Sequence, residues 1–386
     1  MNPSGRILVL NERDPRHPKA GGAETHVAEI FARLAARGYE VTWAASSFPG
    51  CAARERIDGF EVWRLGSLAR YYPSVAWMCA RETRRARFDV VVECLNKVPF
   101  FAPLYSAAPV LALCHHLFGE TAFSQVAWPV AAAVWLAERP IPAVYRRQRF
   151  VAISESSRDD LVRRGIPAEQ IRVSHCGIRV PTVAAPPLRV RAARVVYVGR
   201  LEAYKRIDVL LHAMARIRDT VPAADLVVIG RGSERTRLEA LARDLGLAAN
   251  TFFAGFVSDD ERDTLLAQAR VCVCASEKEG WGLTVIEANA LGTPVVASDA
   301  PGLRDSVRHG ETGFLVAPGD VGAFATRITE LLTDDALAQR VSDSALAWSR
   351  RFDWNLAAQD MAEAIEAARA APAKDRSAAS PDRAAP

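Results

Sequence analysis

The chain of 386 residues has little of what marks several protein classes. Its formal charge is only +4, from 49 basic and 45 acidic residues, so the concentrated basic balance of a nucleic-acid binder is missing. No apolar run approaches the length of a membrane span, and residues 1–10 lack the long apolar core of a secretion signal. The cysteines number seven, most in apolar surroundings, with neither CxxC spacing nor a Cys/His cluster. That argues against a disulfide framework or a zinc site, and a reduced, cytoplasmic protein is expected. No GxGxxG follows the first strand-like run, and no DxD ends a strand, so a dinucleotide fingerprint and a carboxylate metal clamp are both missing. What remains is an ordinary soluble composition, 50% hydrophobic and 24% charged, in a chain long enough for two domains.

The order of elements supports that division. Residues 6–10 read as a buried first strand, and GGAETHVAEIFARLAARG follows a loop rich in charge and proline. Val27, Ile30, Phe31 and Leu34 fall at helical spacing, Gly38 is a plausible stop, and residues 41–45 supply a second strand. In this βαβ unit Gly21 and Gly22 sit where a backbone can approach a diphosphate; they would equally serve tight helix–strand packing. Residues 89–93 and 110–114 are apolar throughout, as strands covered on both faces are. His115 and His116 follow at the carboxyl edge, where open α/β sheets bind ligands, and His115 is the better candidate to donate to a sugar hydroxyl. Residues 181–191, with three prolines and no period, read as a linker. Strand-like runs at 194–199, 225–230, 251–254 and 271–275 then alternate with helices, predicting a second parallel, doubly wound sheet.

Charged residues gather at the strand ends of that second half. Arg200 and Lys205 follow its first strand and could neutralise a diphosphate, while Gly230 and Gly232 end the next strand and could add backbone amides. Residues 272–305, CVCASEKEGWGLTVIEANALGTPVVASDAPGLRD, read as strand, glycine-broken loop, helix and strand. Gly280 and Gly282 flank Trp281 at the turn, and the amides of Leu283 and Thr284 would open a helix N-terminus suited to phosphate. Glu279 and Glu287, with seven residues between them, would repel phosphate but accept hydrogen bonds from sugar hydroxyls. Such acids also serve as plain helix-dipole complements.

Two further stretches stay ambiguous between function and packing. Residues 64–87 interleave arginines with Leu68, Tyr71, Tyr72, Trp77 and Met78, which suits either a peripheral membrane contact or a solvated helix face. Residues 128–149 are apolar and aromatic, suiting an acceptor cleft, a membrane surface or core.

Taken together these motifs resemble the retaining glycosyltransferases of family 4, over about residues 5 to 370. EGWGLTVIEANALGTPVVAS resembles the family's E-x7-E block, VGRLEAYKRIDVLL its VGRL segment, and GGAETH its glycine turn. The resemblance implies the GT-B architecture, two doubly wound Rossmann-like domains facing a central cleft. It implies an acceptor-binding domain at 1–183, a linker at 184–193, a nucleotide-sugar domain at 194–351, a returning helix at 352–370 and a disordered tail at 371–386. By the same resemblance Arg200 and Lys205 hold the donor diphosphate, Gly22 approaches it, and Leu283 and Thr284 bind it through their amides. His115 and Glu279 would contact the transferred sugar, and Glu287 the ribose. The sequence departs from the pattern at Cys176 and Arg179, where the family has Asn and Asp, and at Arg206, where it has Gly.

The expected reaction is metal-independent transfer of a hexose-type sugar from a nucleoside diphosphate sugar to an acceptor hydroxyl, with retention. The catalytic candidates are His115, Arg200, Lys205 and Glu279, and no cofactor or nucleic-acid partner is expected. The acceptor stays open among a glycolipid, a polysaccharide intermediate and a small metabolite. An epimerase of the same fold is the nearest alternative, followed by a non-catalytic sugar-binding protein.

Overall fold

A computed structural model describes residues 4–96, 98–119, 123 and 128–370. The tail expectation for 371–386 lies outside the described residues. The first half contributes strands β1 (Gly5–Leu10), β2 (Tyr39–Ala45), β3 (Arg54–Ile57), β4 (Phe60–Arg64), β5 (Val90–Leu95), β6 (Val110–Cys114), β7 (Arg149–Ala152) and β8 (Ile171–Val173). They form one sheet in the order β3-β4-β2-β1-β5-β6-β7-β8, parallel except where β3 pairs antiparallel with β4. That hairpin turns at Asp58-Gly59, both with positive φ, the dipeptide a tight hairpin favours.

The second half contributes β9 (Arg194–Val198), β10 (Asp225–Ile229), β11 (Thr251–Gly255), β12 (Val271–Cys274), β13 (Val295–Ser298) and β14 (Gly313–Val316). Their order is β11-β10-β9-β12-β13-β14, all parallel, as expected from strands that are apolar on both faces. Two facing doubly wound sheets result.

The helices that matter for the site are α1 (Gly22–Ala36), α2 (Leu68–Arg84), α3 (Trp128–Glu138), α4 (Ile141–Tyr145), α5 (Glu155–Arg163), α6 (Ile207–Thr220), α7 (Arg235–Asp244), α8 (Asp259–Gln268) and α9 (Leu283–Ala290). After α10 (Leu303–Ser306), α11 (Val321–Thr333) and α12 (Asp335–Ser349), the last helix, α13 (Trp354–Arg369), packs back on α1 and β7. The apolar spacing of α1 does what it predicts: Val27, Ile30, Phe31 and Leu34 are fully buried. One apolar cluster runs from β1 and α1 through Cys176, Trp281, Phe352 and Trp354 into Val285 of α9, so the two sheets share a core at their junction.

The linker is docked rather than loose. Leu188 is buried, and the Arg191 guanidinium donates to the carbonyls of Pro186, Ala269 and Leu291 and to the Thr293 hydroxyl. Burial, then the nearby Arg270 cation, pulls this guanidinium down to about 10.

Residues 64–87 do not form a continuous basic–aromatic surface. Arg64 is buried on Asp14 and Glu55, and Tyr71 and Met78 are core residues of α2. Arg81, Arg85 and Arg87 converge on the single buried carboxylate of Glu82. Leu68 and Trp77 remain exposed, as do Trp128, Val130 and Leu136 of α3.

Candidate active site

The chain leaves β12 at its carboxyl edge and enters α9 through Gly282, whose φ of 90° lies in the left-handed region that glycine tolerates. No side chain caps α9, and its first-turn residues Leu283 and Thr284 open onto a cleft of about 790 Å³ between the two sheets. An uncapped helix start presents unsatisfied amides and a positive dipole end, which suits an anion.

The loop before that helix is held from behind and from the side. The Glu279 amide donates to the Pro301 carbonyl at 3.0 Å, and its carboxylate is ion-paired with the Lys205 ammonium. Lys205 comes from the 3-10 turn Ala203–Lys205, so β9 and β12 each send one partner to the pair. Burial pulls the Lys205 ammonium down, and the Glu279 carboxylate together with Tyr204 more than offsets this, leaving the lysine above its ordinary range. Arg200 lies beside it, donating to the Tyr204 hydroxyl at 2.8 Å. Arg206, in the family's glycine place, does adopt a left-handed backbone with φ 51°. Its guanidinium is held by Asp208 and Glu277, which anchor a conformation that costs a non-glycine residue on the order of 1 kcal/mol.

The opposite wall comes from the first sheet. His115 directly follows β6, is 2% exposed, and turns Nε2 toward Nδ1 of His26 on α1 at 3.1 Å. Burial, then the neighbouring imidazole, pulls His26 well below the usual histidine range, so the contact joins a donor and an acceptor ring nitrogen rather than two cations. Gly22 faces the Leu283 side chain, where an added Cβ would stand 3.4 Å from Cδ1. The Gly21 amide is already taken by the Glu24 carboxylate at 2.8 Å, which fixes the turn instead of leaving that amide for a ligand. Gly280 closes the gap between the walls: a Cβ there would meet Ile153 at 3.0 Å and the His115 carbonyl at 3.2 Å.

Three expected donor residues are not on the cleft wall. The Gly230 amide donates to the Gly255 carbonyl at 2.7 Å, and a Cβ at 230 would lie 1.8 Å from the Gly199 carbonyl oxygen. A Cβ at Gly232 would lie 2.1 Å from the Leu201 carbonyl oxygen. Both glycines therefore exist because two loops touch through their backbones. Glu287 sits one helical turn beyond Leu283, with its side chain 21% exposed and 3.4 Å from Arg262 of α8. Trp281 does reach the cleft, but its indole is 2% exposed, stacked on His175 with ring centroids 4.3 Å apart and edge-on to Phe352. Its main task is to pack the domain junction.

Several residues of the site carry no sequence signal of their own. His26, buried behind His115 rather than on the cleft wall, is the most legible of them, standing four positions after Gly22 and so one turn into the same helix. Arg13, Lys19, Asn96 and Lys278 face the cleft. Lys278 spans it, with its ammonium donating to the Leu117 carbonyl, and burial pulls it below its ordinary range. Among the described residues no group of three or more His, Cys, Asp or Glu is placed to hold a metal ion.

Comparison with known proteins agrees with this geometry. Residues 184–348 match the family described as Glycosyl transferases group 1, and residues 20–182 match Glycosyltransferase Family 4. The chain is 27% identical over 365 residues to a phosphatidyl-myo-inositol mannosyltransferase of Mycobacterium leprae, covering 90% of this chain and 93% of that protein. It is 34% identical over 225 residues to a glycogen synthase of Mycobacterium tuberculosis, covering 57% of this chain; it spans only about half, 54%, of that relative's length. Among solved structures, sucrose-phosphate synthase of Thermosynechococcus elongatus superimposes with a TM-score of 0.80 at 24% identity, over 95% of this chain and all of that one (100%). Anabaena HepE, solved with UDP and glucose, gives a TM-score of 0.74 at 22% identity over 94% of this chain and 100% of that one. The two matched families, the relative aligned along almost its whole length and the shared two-sheet fold lead to one assignment: the chain belongs to glycosyltransferase family 4 and has the GT-B fold.

Proposed function

We propose that the protein is a retaining, metal-independent glycosyltransferase that moves a hexose-type sugar from a nucleoside diphosphate sugar to an acceptor hydroxyl. The observation that carries this reading is the convergence of Arg200, Lys205, Glu279 and the open start of α9 on one cleft. Cations and amides on one side suit a diphosphate; a carboxylate beside them suits sugar hydroxyls. The M. leprae relative is named for mannosyl transfer to a phosphatidylinositol and HepE was solved with UDP, which supports a nucleotide-linked donor here.

In the reaction the bond from the anomeric carbon to the β-phosphate oxygen breaks, and its electron pair stays on that oxygen. The acceptor oxygen bonds to the same face of the anomeric carbon, and its proton passes to the departing phosphate. Charge therefore grows on the diphosphate as the bond breaks, where Arg200, Lys205 and the Leu283 and Thr284 amides stand. Groups placed where charge develops stabilise the transition state more than the ground state. His115 would bind the transferred sugar, its orientation set by His26.

A thermal-shift screen with UDP-, GDP-, ADP- and dTDP-sugars tests the donor site. A ligand at about a hundred times its dissociation constant adds about 2.7 kcal/mol, enough to raise the melting temperature by several degrees. A protein that none of the four stabilises would remove the basis of this reading, and activity abolished by EDTA would remove its metal-free part.

A further inference from the structure

The outer face of α3 does not suit water. From Trp128 to Ala137 the helix carries no charged side chain, and its only polar side-chain atoms are the two indole nitrogens. Pro129, Ala133 and Leu136, at helical spacing, are exposed, and Trp128, Val130 and Leu136 are left 72%, 53% and 59% open to solvent. A helix that is apolar all round belongs in a core or against lipid, and α3 is not in the core. At 11 residues it is about 16 Å long, so it can lie on a bilayer but not cross one. Basic residues border it. Arg139 follows the helix with its guanidinium 3.8 Å from the Trp135 ring centroid, Arg146 and Arg147 follow α4, and Arg149 opens β7. All four are exposed, and none is ion-paired among the described residues. Glu138, the one acid between residues 128 and 149, turns inward, accepting from the Phe118 and Gly119 amides at 2.6 and 2.8 Å and pairing with Arg164 at 3.2 Å. Arg146 and Arg147 line a surface cavity of about 580 Å³ with no carboxylate in its wall. The Gln170 amide oxygen is buried in that wall and meets no donor among the described residues.

We propose that α3 and the arginines after it form a docking surface for an anionic lipid bilayer. Trp128, Val130 and Leu136 enter the boundary between headgroups and acyl chains, and Arg139, Arg146, Arg147 and Arg149 meet the lipid phosphates. Interfacial helices combine these two parts, burial from the apolar face and attraction from adjacent cations. The mount is stiff: Glu138 ties α3 to the loop after β6, while Ile141 and Tyr145 of α4 are fully buried and the Tyr145 hydroxyl bonds Glu93 of β5. The patch is therefore already ordered before it meets lipid, which lowers the cost of binding. Charge selects lipid over a second copy of the chain. A two-fold contact would gather the same arginines from both copies, with only the inward-turned Glu138 to offset them. Of the two stretches whose sequence suits a membrane, 128–149 keeps its apolar and basic groups outside, whereas 64–87 turns Arg64, Tyr71 and Met78 inward. This surface is independent of the chemistry in the cleft.

Flotation of the full chain with vesicles of phosphatidylcholine, alone or mixed with phosphatidylglycerol, reads this out. The wild type is expected to float with the mixed vesicles, to bind the neutral ones weakly, and to be released by high salt. Arg146→Gln with Arg147→Gln should weaken partition into the mixed vesicles about fivefold for each charge removed. Trp128→Gln with Leu136→Gln should weaken it about tenfold or more whatever the salt, because apolar burial is not screened. Leu136→Gln alone replaces that pair should the double variant not fold, and thermal melts at the wild-type temperature check folding in each case. Trp77→Gln on α2 should float like the wild type. A wild type that does not float with the mixed vesicles overturns the proposal, as does undiminished flotation of the arginine and apolar variants. A concentration-dependent dimer in sedimentation that Leu136→Gln separates also overturns it and gives this face to a second copy.

Discussion

Lys205 and Glu279 form an ion pair inside the cleft, with side chains 13% and 20% exposed, so two explanations of a damaged Lys205→Ala variant must be separated. In one, Lys205 acts on the diphosphate. In the other, it only neutralises Glu279. Two unit charges about 4 Å apart interact by roughly 4 kcal/mol at the effective dielectric of a partly buried site, so either effect can be large. Removing one preorganised charge from a transition state costs about 10²–10³ in kcat. The same loss of Lys205 also leaves Glu279 as an uncompensated negative charge facing a negative leaving group. The double-mutant cycle with Glu279→Ala divides these effects. Once Glu279 is gone, a lysine that served only as its partner has nothing left to do, and Lys205→Ala should then change nothing further. A lysine that holds the diphosphate should still be worth about 10² in kcat in the Glu279→Ala background. The assay is release of nucleoside diphosphate from the preferred donor under saturation, with and without EDTA. Equal rates for Glu279→Ala and the double variant would refute the assignment of Lys205 to the leaving group.

Two further substitutions probe the frame around the site. Gly302 has φ 81°, and a Cβ there would lie 2.4 Å from the Glu279 carbonyl oxygen, so Gly302→Ala should displace the Glu279 loop. It is expected to cost on the order of 2 kcal/mol and to weaken donor binding as well. Urea unfolding and donor titration together check it, and wild-type values in both would count against the described packing. Glu93 is fully buried in β5 and pushed up to about 7 by burial, against donors from the Tyr145 hydroxyl and the amides of Phe100, Phe101 and Ala102. Its folded value exceeds the ordinary 4.5, so the folded state keeps a proton that the unfolded chain loses first, and stability falls as pH rises from 4.5 to about 7. The loss is on the order of 3 kcal/mol, and Glu93→Gln should abolish this slope. Urea melts across that window compare the two, and parallel profiles would refute the assignment.

The parts of the molecule that could be read in advance are those written in local periods. Alternating strands and helices, the glycine stop at 38 and the apolar face of α1 each depend on residues a few positions apart. The β3–β4 hairpin is equally local, since Asp58-Gly59 between two strand-like runs is a strong turn signal. What stayed hidden depends on distant partners. Arg64 looks like a solvated cation until Asp14, fifty positions away, is seen to bury it. Gly230 and Gly232 look like phosphate-loop glycines until the Gly199 and Leu201 carbonyls are seen filling the space beside them. Periodicity carries no record of such pairings.

The two glutamates show the same limit most sharply. Seven intervening residues would fix their relative direction if all lay in one helix, but the left-handed Gly282 breaks the path between them. Glu279 stays in the loop and turns to Lys205 from the β9 side, whereas Glu287 rides on α9 and turns to Arg262 of α8. Each acid is thus tied to a cation from a different element. The Lys205 pair lines the cleft, and the Arg262 pair lies one turn along the helix. A change in one pair should leave the other in place. Lys205 variants should therefore lose turnover while the Arg262–Glu287 pair and the packing of α8 on α9 stay as they are.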